Sequence, residues 1–304
     1  MVNRGSGQSP EPIATNLWLR RPSTETGRAK LPDVEGGSMS HADPAELFTG
    51  TAEYYAKFRP GYPSEMFLAI VRDLQLSTTS RVLEVGSGTG HFTLGMAPYV
   101  GEIVAVEPAR DMNDQVRLAA EREGVHNIRI VEGDSSTLRS LGRDQFEAAF
   151  FAAAFHWTDR DETLRVLDDM IKSGGAVVVV SGASATADPP WQTAIDDVRA
   201  RWLGPVRRAG SGVYEHPKDR HETVLQRSAF SEVTVTSFTW PLTQTLDELV
   251  GCQFSYSHSS PALLGENKPR FEDELFAVLR GFSDTGTFVQ TLQSEVLTAR
   301  RPRD

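Results

Sequence analysis

Apolar and polar positions follow a regular alternation of two patterns from about residue 44 onward. Short apolar runs between polar loops predict buried strands at residues 81–85, 103–106, 128–131, 146–152 and 176–181. Between these runs apolar residues recur with helical spacing, as Leu164, Leu167 and Ile171 do at i, i+3 and i+7. Five strands separated by helices predict a mostly parallel sheet.

The pattern is less regular beyond Trp191. Strand alternation returns at residues 232–240, helical spacing appears at 246–254 and 271–282, and a final strand is predicted at 288–298. The chain is therefore predicted to adopt an α/β, Rossmann-like fold. Its mostly parallel seven-stranded sheet would carry helices on both faces and a C-terminal helical lid insertion.

The first 42 residues differ in composition from the rest of the chain. Glycine, serine, proline, threonine and charged residues dominate them, so they bury too little apolar surface to offset the entropy of ordering. They are predicted to form a disordered tail, with a targeting peptide as the alternative because several arginines are present. Residues 43–304 are predicted to form one domain, with an N-terminal half at about 43–185 and a C-terminal half at about 186–304.

Charge and composition narrow the choice of partners. The 304 residues include 31 Lys and Arg against 41 Asp and Glu, and the net charge of −10 argues against nucleic-acid binding and mildly favours a cationic small molecule. Cys252 is the single cysteine, and no Cys/His cluster has zinc spacing, so neither an internal disulfide nor a metal is predicted. No apolar run reaches the roughly 18 residues that span a bilayer. We expect a cytoplasmic protein without a membrane partner, and the oligomeric state stays open.

The strongest local signal is a glycine-rich turn after the first predicted strand. Gly86, Gly88 and Gly90 follow that strand and precede a helix, which places bare backbone at the carboxyl edge of the sheet. Their spacing is G-x-G-x-G, which differs from the G-x-G-x-x-G of dinucleotide-binding proteins. Glu84, just before the turn, would repel a pyrophosphate and attract an ammonium or sulfonium. The turn therefore favours an aminoacyl-type cofactor over NAD, and the alternative is an ordinary strand-to-helix turn.

Two further carboxylates follow the next two strands. Glu107 comes 21 positions after Gly86, where a carboxylate can accept hydrogen bonds from both hydroxyls of a ribose. The alternative is a surface acid at the start of the next helix. Asp134 follows the third strand, where it could accept a hydrogen bond from an adenine amino group or simply cap a helix.

Five ordered sequence pieces carry a resemblance to a known family. They are Leu-Glu-Val-Gly-Ser-Gly-Thr-Gly at 83–90, Val-Glu-Pro at 106–108 with Met112, Glu-Gly-Asp at 132–134, Ala-Glu-Tyr-Tyr-Ala-Lys-Phe-Arg-Pro-Gly-Tyr-Pro at 52–63, and Phe-Glu-Ala-Ala-Phe-Phe-Ala-Ala-Ala-Phe-His-Trp at 146–157. With these pieces, residues 44 to about 182 resemble the class I S-adenosylmethionine-dependent methyltransferases. The resemblance is to the small-molecule, type 11 branch that includes trans-aconitate methyltransferases. One departure is Glu147, where that branch usually has Asp.

The resemblance implies S-adenosylmethionine as the cofactor and makes residues 43–185 the cofactor half. It implies that Tyr55 and Arg59 cover the methionine end of the cofactor and that Met112 packs against the adenine. The complete set of predicted cofactor-binding residues is Tyr55, Arg59, Glu84, Gly86, Ser87, Gly88, Gly90, Glu107, Pro108, Met112, Asp134, Ser135 and Ala152.

His156 ends the fourth predicted strand, beside the expected position of the reactive methyl group. A neutral imidazole there could remove the acceptor's proton or orient the acceptor, which makes His156 the candidate catalytic residue. The competing interpretation is structural, with His156 bonded in the loop and its neighbour packed on the next helix. Because methyl transfer is an in-line displacement, a general base is optional.

The C-terminal half is predicted to hold the acceptor. The candidate acceptor-binding residues are aromatic or histidine side chains, namely Trp157, Trp191, Tyr256 and His258. Many acids lie beside such aromatics in the sequence, which favours a basic amine such as an amino sugar or a natural-product intermediate, methylated on nitrogen. One alternative is O-methylation of a carboxylic acid or hydroxyl, with Arg201, Arg207 or Arg208 as a clamp. Another is a regulatory protein that binds the cofactor without catalysis.

Overall fold

The computed structural model describes residues 44–46, 48–142, 146–206, 208–209, 212–213 and 218–302. The predicted tail, residues 1–42, lies outside the described residues. The strands are β1 (Arg81–Val85), β2 (Glu102–Glu107), β3 (Ile128–Glu132), β4 (Phe146–Ala152), β5 (Ile171–Val180), β6 (Ser184–Ala185), β7 (Arg208–Ala209), β8 (Gly212–Val213), β9 (Glu232–Thr245) and β10 (Thr287–Arg300). The helices are α1 (Ala52–Phe58), α2 (Ser64–Leu74), α3 (His91–Met96), α4 (Arg110–Glu123), α5 (Arg160–Met170), α6 (Gln192–Leu203), α7 (His221–Gln226), α8 (Leu246–Gln253), α9 (Pro261–Leu264) and α10 (Lys268–Leu279).

The main sheet has the strand order β3-β2-β1-β4-β5-β10-β9. Strands β1 to β5 pair in parallel, β10 runs antiparallel to β5, and β9 runs antiparallel to β10. The predicted seven-stranded Rossmann-like sheet is therefore confirmed. The two-residue β6, which pairs with β10, adds an eighth strand.

Strand β9 continues five residues beyond the predicted end at Trp240. The next residue, Pro241, has no N–H group to donate to a neighbouring strand. In the structure β9 pairs only with β10 among the described strands, so it is an edge strand, where a proline is tolerated. Its register with β10 continues from Glu232 to Thr245.

The sheet buries both of its faces, because successive strand residues point to opposite sides. Leu83 and Phe151 face one core with side chains of α5 and α7. Val82 and Phe150 face the other, with side chains of α2 and α3. This arrangement explains why the predicted strands are almost continuously apolar.

A third apolar core lies among helices α6, α8, α9 and α10, which we call the lid. Trp191, Phe254 and Phe271 lie at its centre. The predicted helical insertion is confirmed, but two separate chain segments build it, one after β6 and one between β9 and β10. Helix α1 also packs here, with the ring of Tyr54 centred 5.1 Å from that of Phe254. No helix in the described ranges is long and apolar enough to cross a membrane.

Candidate active site

The glycine-rich turn connects β1 to α3 at the carboxyl edge of the sheet. Gly86 has φ +74°, and a Cβ added to it would lie 2.5 Å from the Cβ of Ala154, so only glycine fits. Gly88 has φ +54°, but a Cβ added there would meet nothing within 4 Å. The turn therefore packs tightly against the end of β4 at Gly86 and faces open space at Gly88.

Glu107, the last residue of β2, is held firmly beside this turn. Its Oε2 accepts a hydrogen bond from the N–H of Gly88 at 2.9 Å, and its Oε1 accepts one from the N–H of Ala109 at 3.0 Å. The residue is only 8% exposed, and burial raises the pKa of its carboxyl. Each carboxylate oxygen can still accept a second hydrogen bond, which suits a pair of neighbouring hydroxyls.

Glu84 lies deeper, on β1, and is 1% exposed. Its Oε2 accepts a hydrogen bond from the hydroxyl of Thr93 on α3. Burial raises the pKa of this carboxyl to about 8; the hydrogen bond from Thr93 opposes the rise and the charge of Glu107 adds to it. A buried carboxyl of this kind gains most from a cation brought next to it.

An aminoacyl cofactor with a ribose fits this arrangement of groups. The Oγ of Ser87 is buried and has no hydrogen-bond partner among the described residues, which is unusual for a buried hydroxyl. The site also has open space in front of Gly88, two acceptor oxygens on Glu107 and the buried carboxyl of Glu84. Several of its polar groups can therefore form further hydrogen bonds or an ion pair with a ligand. Glu107 would hold ribose hydroxyls, and Glu84 would face a positive charge.

The remaining predicted cofactor residues lie around the same edge. Met112 on α4 is buried in a small apolar cluster with Ala109 and with Tyr55 of α1. The Oδ1 of Asp134 accepts hydrogen bonds from the N–H and the hydroxyl of Ser136, so this carboxylate caps the short 3-10 helix that follows β3. Its second oxygen, Oδ2, accepts no hydrogen bond from the residues that the structure describes, so capping and adenine recognition are compatible. Pro108, Ser135 and Ala152 are half-buried at the ends of their strands.

Arg59 and its neighbours connect α1 to the lid. The Nε of Arg59 donates to the Oγ of Ser255 at 2.8 Å, and its Cζ lies 3.9 Å from the ring centre of Tyr256. On its other side the guanidinium lies 4.9 Å from the ring centre of Tyr55. The Nδ1 of His91 lies 2.9 Å from the Oγ1 of Thr89, and burial lowers the pKa of this imidazole, with the charge of Arg59 adding to the effect.

These side chains form one wall of a cavity between the sheet edge and the lid, which we call the inner cavity. It measures about 160 Å³. Its lining residues are Tyr55, Arg59, Pro60, Tyr62, His91, Ala153, Gly182, Ala183, Ser184, Ala185, Trp191, Gln192, Ile195, Gln244, Leu249, Cys252, Gln253, Tyr256, Gln290 and Leu292. Within the part of the chain that the structure describes, Arg59 is the one lining residue with a permanent charge, and none is a carboxylate.

A second, more open depression adjoins the inner cavity, and we call it the outer groove. It measures about 460 Å³ and shares Gln192, Gln253 and Tyr256 with the inner cavity. Its other lining residues are Asp196, Arg199, Ala200, Leu203, Gly204, Pro205, Val206 and His258.

His156 lies half-buried in a short 3-10 turn after β4 and is not among the residues that line the inner cavity. Its ring is centred 4.6 Å from that of Trp157 and lies nearly parallel to that of His221, 6.2 Å away. Trp157 in turn meets the edge of Phe48 at 6.0 Å. The histidine therefore belongs to an aromatic stack between β4 and α7.

Comparison with known proteins identifies the fold and its cofactor. Residues 82–175 match the family model described as a methyltransferase domain. The chain contains a class I S-adenosylmethionine-dependent methyltransferase domain. The cofactor of this domain is S-adenosylmethionine.

Several relatives of the methyltransferase domain are known. The chain is 27% identical to the uncharacterized methyltransferase YcgJ of Bacillus subtilis over 134 residues, 44% of this chain and 53% of that protein. It is 26% identical to an uncharacterized methyltransferase of Mycobacterium tuberculosis over 228 residues, 74% of this chain and 83% of that one. A solved structure from Anaeromyxobacter dehalogenans, assigned as a type II methyltransferase, shares the fold with a TM-score of 0.52 at 19% identity, over 80% and 98% of the two chains. The matched regions span about half the length of the first curated relatives.

The structure brings together only part of the predicted acceptor set. Trp191 and Tyr256 line the inner cavity, and Tyr256 and His258 line the outer groove. Trp157 lines neither and packs in the aromatic stack described above. The side chains of Arg207 and Arg208 lie outside the described residues, and Arg201 pairs with Glu274 on α10 at 2.5 Å.

Some lining residues of the methyltransferase domain were not predicted from the sequence. His91 follows Gly90 directly, so its position beside the glycine-rich turn could have been noticed. Gln244 and Gln290 are different, because they meet only through the pairing of β9 with β10, where the Nε2 of Gln290 donates to the Oε1 of Gln244 at 3.3 Å. No local sequence pattern indicates that contact.

Proposed function

We propose that the protein transfers a methyl group from S-adenosylmethionine to a small-molecule acceptor bound in the inner cavity. One observation carries the proposal: of two consecutive residues after β4, one contacts the glycine-rich turn and the other lines the inner cavity. Ala154 packs against Gly86 of the cofactor turn, and Ala153 lines the inner cavity. The distance from cofactor to acceptor is therefore set by a single short stretch of backbone.

That stretch is conformationally restrained. Ala153 has φ +54°, a left-handed value that non-glycine residues adopt at a cost, and its N–H donates to the carbonyl oxygen of Val180 at 2.8 Å. Such strained positions concentrate at functional sites, where neighbouring structure holds them in place. Ala153 is thus suited to fix the wall between cofactor and acceptor.

The bound cofactor would supply an electrophilic sulfonium methyl group. The protein would position the acceptor next to that group and keep water away from it. Effective approach geometry alone accounts for a large share of the rate of a displacement of this kind. Trp191, Leu249 and Tyr55 surround the cavity and exclude water from it. The family resemblance implies that Arg59, which lies beside Tyr55, covers the methionine end of the cofactor with it.

The chemistry of the cavity supports O-methylation over N-methylation of a basic amine. Three of the acids that favoured an amine in the sequence are bonded elsewhere: Glu248 caps α8, Glu272 pairs with Lys268 at 2.8 Å, and Glu274 pairs with Arg201. Asp196 lines the outer groove and not the inner cavity. A protonated amine would thus enter a cavity whose described walls offer no carboxylate to pair with it. We therefore favour a carboxyl or hydroxyl acceptor, the alternative from the sequence.

A labelled-methyl assay tests this proposal. Purified protein is incubated with isotope-labelled S-adenosylmethionine and with separate pools of carboxylic acids, hydroxyl compounds and amines, and products are identified by mass. We expect label in an ester or ether product, and clearly less of it with Glu107→Ala at a cofactor concentration near the wild-type Kd. Labelled amines alone would overturn the acceptor class, and a folded protein that fails to bind the cofactor would overturn the function.

A further inference from the structure

The outer groove begins where the inner cavity ends. Gln192, Gln253 and Tyr256 line both, so the inner cavity and the outer groove adjoin at these three side chains. The inner cavity is the smaller, at about 160 Å³ against about 460 Å³. An acceptor with a reacting group in the inner cavity therefore has room for the rest of its length in the outer groove.

The two sides of the groove differ in chemistry. Leu203 and Val206 provide an aliphatic side where α6 ends, and Val206 is 50% exposed although it is apolar. The polar side carries the ion pair of Arg199 with Asp196, and Arg199 lies one turn before Leu203 on the same helix. A chain with an apolar body and a polar end matches this pair of surfaces.

Arg199 has donor capacity that the protein leaves unused. Its Nη1 donates to the Oδ1 of Asp196 at 2.8 Å, and its Nη2 donates to the Oε1 of Gln253 at 3.3 Å. Its buried Nε has no hydrogen-bond partner among the described residues. Because a guanidinium carries five N–H donors, these two bonds leave more than one donor for a ligand.

The partner of Arg199 can be replaced easily by a ligand anion. The side chain of Asp196 is 51% exposed, whereas that of Arg199 is 22% exposed. Because the carboxylate of Asp196 is already half in solvent, it can turn away from Arg199 if a ligand anion takes over its hydrogen bond. A bound carboxylate would then take its place with the geometry that guanidinium groups favour.

We infer that the outer groove is a second acceptor subsite, in which Arg199 binds an anionic group at the non-reacting end of an amphipathic acceptor. The chain leading to that anion lies on Leu203 and Val206, and the reacting end passes Tyr256 into the inner cavity. The inference rests on the proposed function, because it assigns the far end of the acceptor that the inner cavity methylates.

Isothermal titration with octanoate tests the subsite without requiring turnover. The protein is first titrated with S-adenosylhomocysteine and then, in the loaded form, with octanoate or with octylamine as the matched cation. Arg199→Gln removes the proposed anion-binding charge. Arg201→Gln is the matched control, because Arg201 lies on the same helix and forms its own ion pair but does not line the groove. Thermal unfolding confirms that both variants are folded.

We expect octanoate to bind once per chain and octylamine at least about tenfold more weakly. Arg199→Gln should weaken octanoate about tenfold, the lower end of what a charge-assisted hydrogen bond contributes, and Arg201→Gln should leave it unchanged. The inference would be overturned if octylamine bound as tightly as octanoate, if octanoate showed no saturable binding, or if Arg199→Gln left the octanoate affinity unchanged. Failure of S-adenosylhomocysteine to bind would instead count against the proposed function, since octanoate can also be titrated into the unloaded protein.

Discussion

The glycine-rich turn and the inner cavity are neighbours built in opposite ways. The turn uses residues close together in the sequence, because Glu84, Gly86 and Gly88 follow one another and Glu107 ends the adjacent strand. The cavity takes its walls from α1, α6, α8, β9 and β10, which are far apart in the chain. Under the proposed function, cofactor recognition depends on local backbone geometry, whereas acceptor recognition depends on how distant elements meet.

The largest effect is expected at the point where the two regions touch. Gly86→Ala introduces a Cβ 2.5 Å from Ala154 and forces an unfavourable φ of +74° on a non-glycine residue. Overpacking and backbone strain together cost several kcal/mol, so we expect affinity for S-adenosylhomocysteine to fall at least about 100-fold. Calorimetric titration of the folded variant measures this.

Gly124→Ala is the matched control for backbone strain. Gly124 has φ +66° at the end of α4, but a Cβ added there meets nothing within 4 Å. We expect a loss of stability of about 1 kcal/mol with unchanged cofactor affinity. An equal loss of affinity in both variants would mean that backbone strain, rather than contact with Ala154, explains the effect.

A smaller effect on the cofactor is expected from Glu107→Ala. Loss of the oxygens proposed to hold the ribose should weaken S-adenosylhomocysteine binding by about 1.5–3 kcal/mol, the size of charge-assisted hydrogen bonds. Glu132→Ala, at the exposed end of the neighbouring strand β3, serves as control and should bind normally. Unchanged affinity in Glu107→Ala would remove this residue from the cofactor site.

The contrast between the two regions explains what the sequence could predict. The parallel strands, the turn and Glu107 follow from apolar runs and from residues at strand ends, and the structure has the predicted elements. The inner cavity could not be predicted, because contacts such as Gln244 with Gln290 depend on the register of β9 and β10. Acids near aromatics in the sequence were likewise misleading about charge in the cavity, since Glu248 and Glu274 bond to neighbours outside it.

A pH dependence is expected from Glu84. Burial raises its pKa from 4.5 to about 8, so between these values the folded protein without cofactor binds more protons than the unfolded chain. The free energy of unfolding should therefore fall as pH rises through this window and level off above about pH 8. Thermal unfolding from pH 5 to 9 should show this slope in the wild type and a shallower one in Glu84→Gln.

The same carboxyl should link cofactor binding to protons. If the cofactor's positive charge lies beside Glu84, binding favours the ionised form and releases a proton. Affinity should then increase with pH up to about 8, and calorimetry in buffers of different ionisation enthalpy should detect the released proton. A binding enthalpy that is independent of the buffer would contradict this link.

The smallest effect is expected at His156, outside both regions. As a general base this residue would account for about 10²–10⁴-fold in turnover. Its ring instead stacks with Trp157 and His221 and does not line the inner cavity. We expect His156→Asn to retain turnover within about tenfold, measured as labelled methyl transfer at saturating cofactor. A loss of 100-fold or more with intact cofactor affinity would restore the catalytic role.

Separate titrations with two nucleotide compounds test the central claim most directly. The claim is that the turn at Gly86–Gly90, with Glu84 and Glu107, binds an aminoacyl nucleoside rather than a dinucleotide. Isothermal titration of the wild type should show S-adenosylhomocysteine binding once per chain and no saturable binding of NAD. Saturable binding of NAD, or of neither compound to the folded protein, would contradict the account.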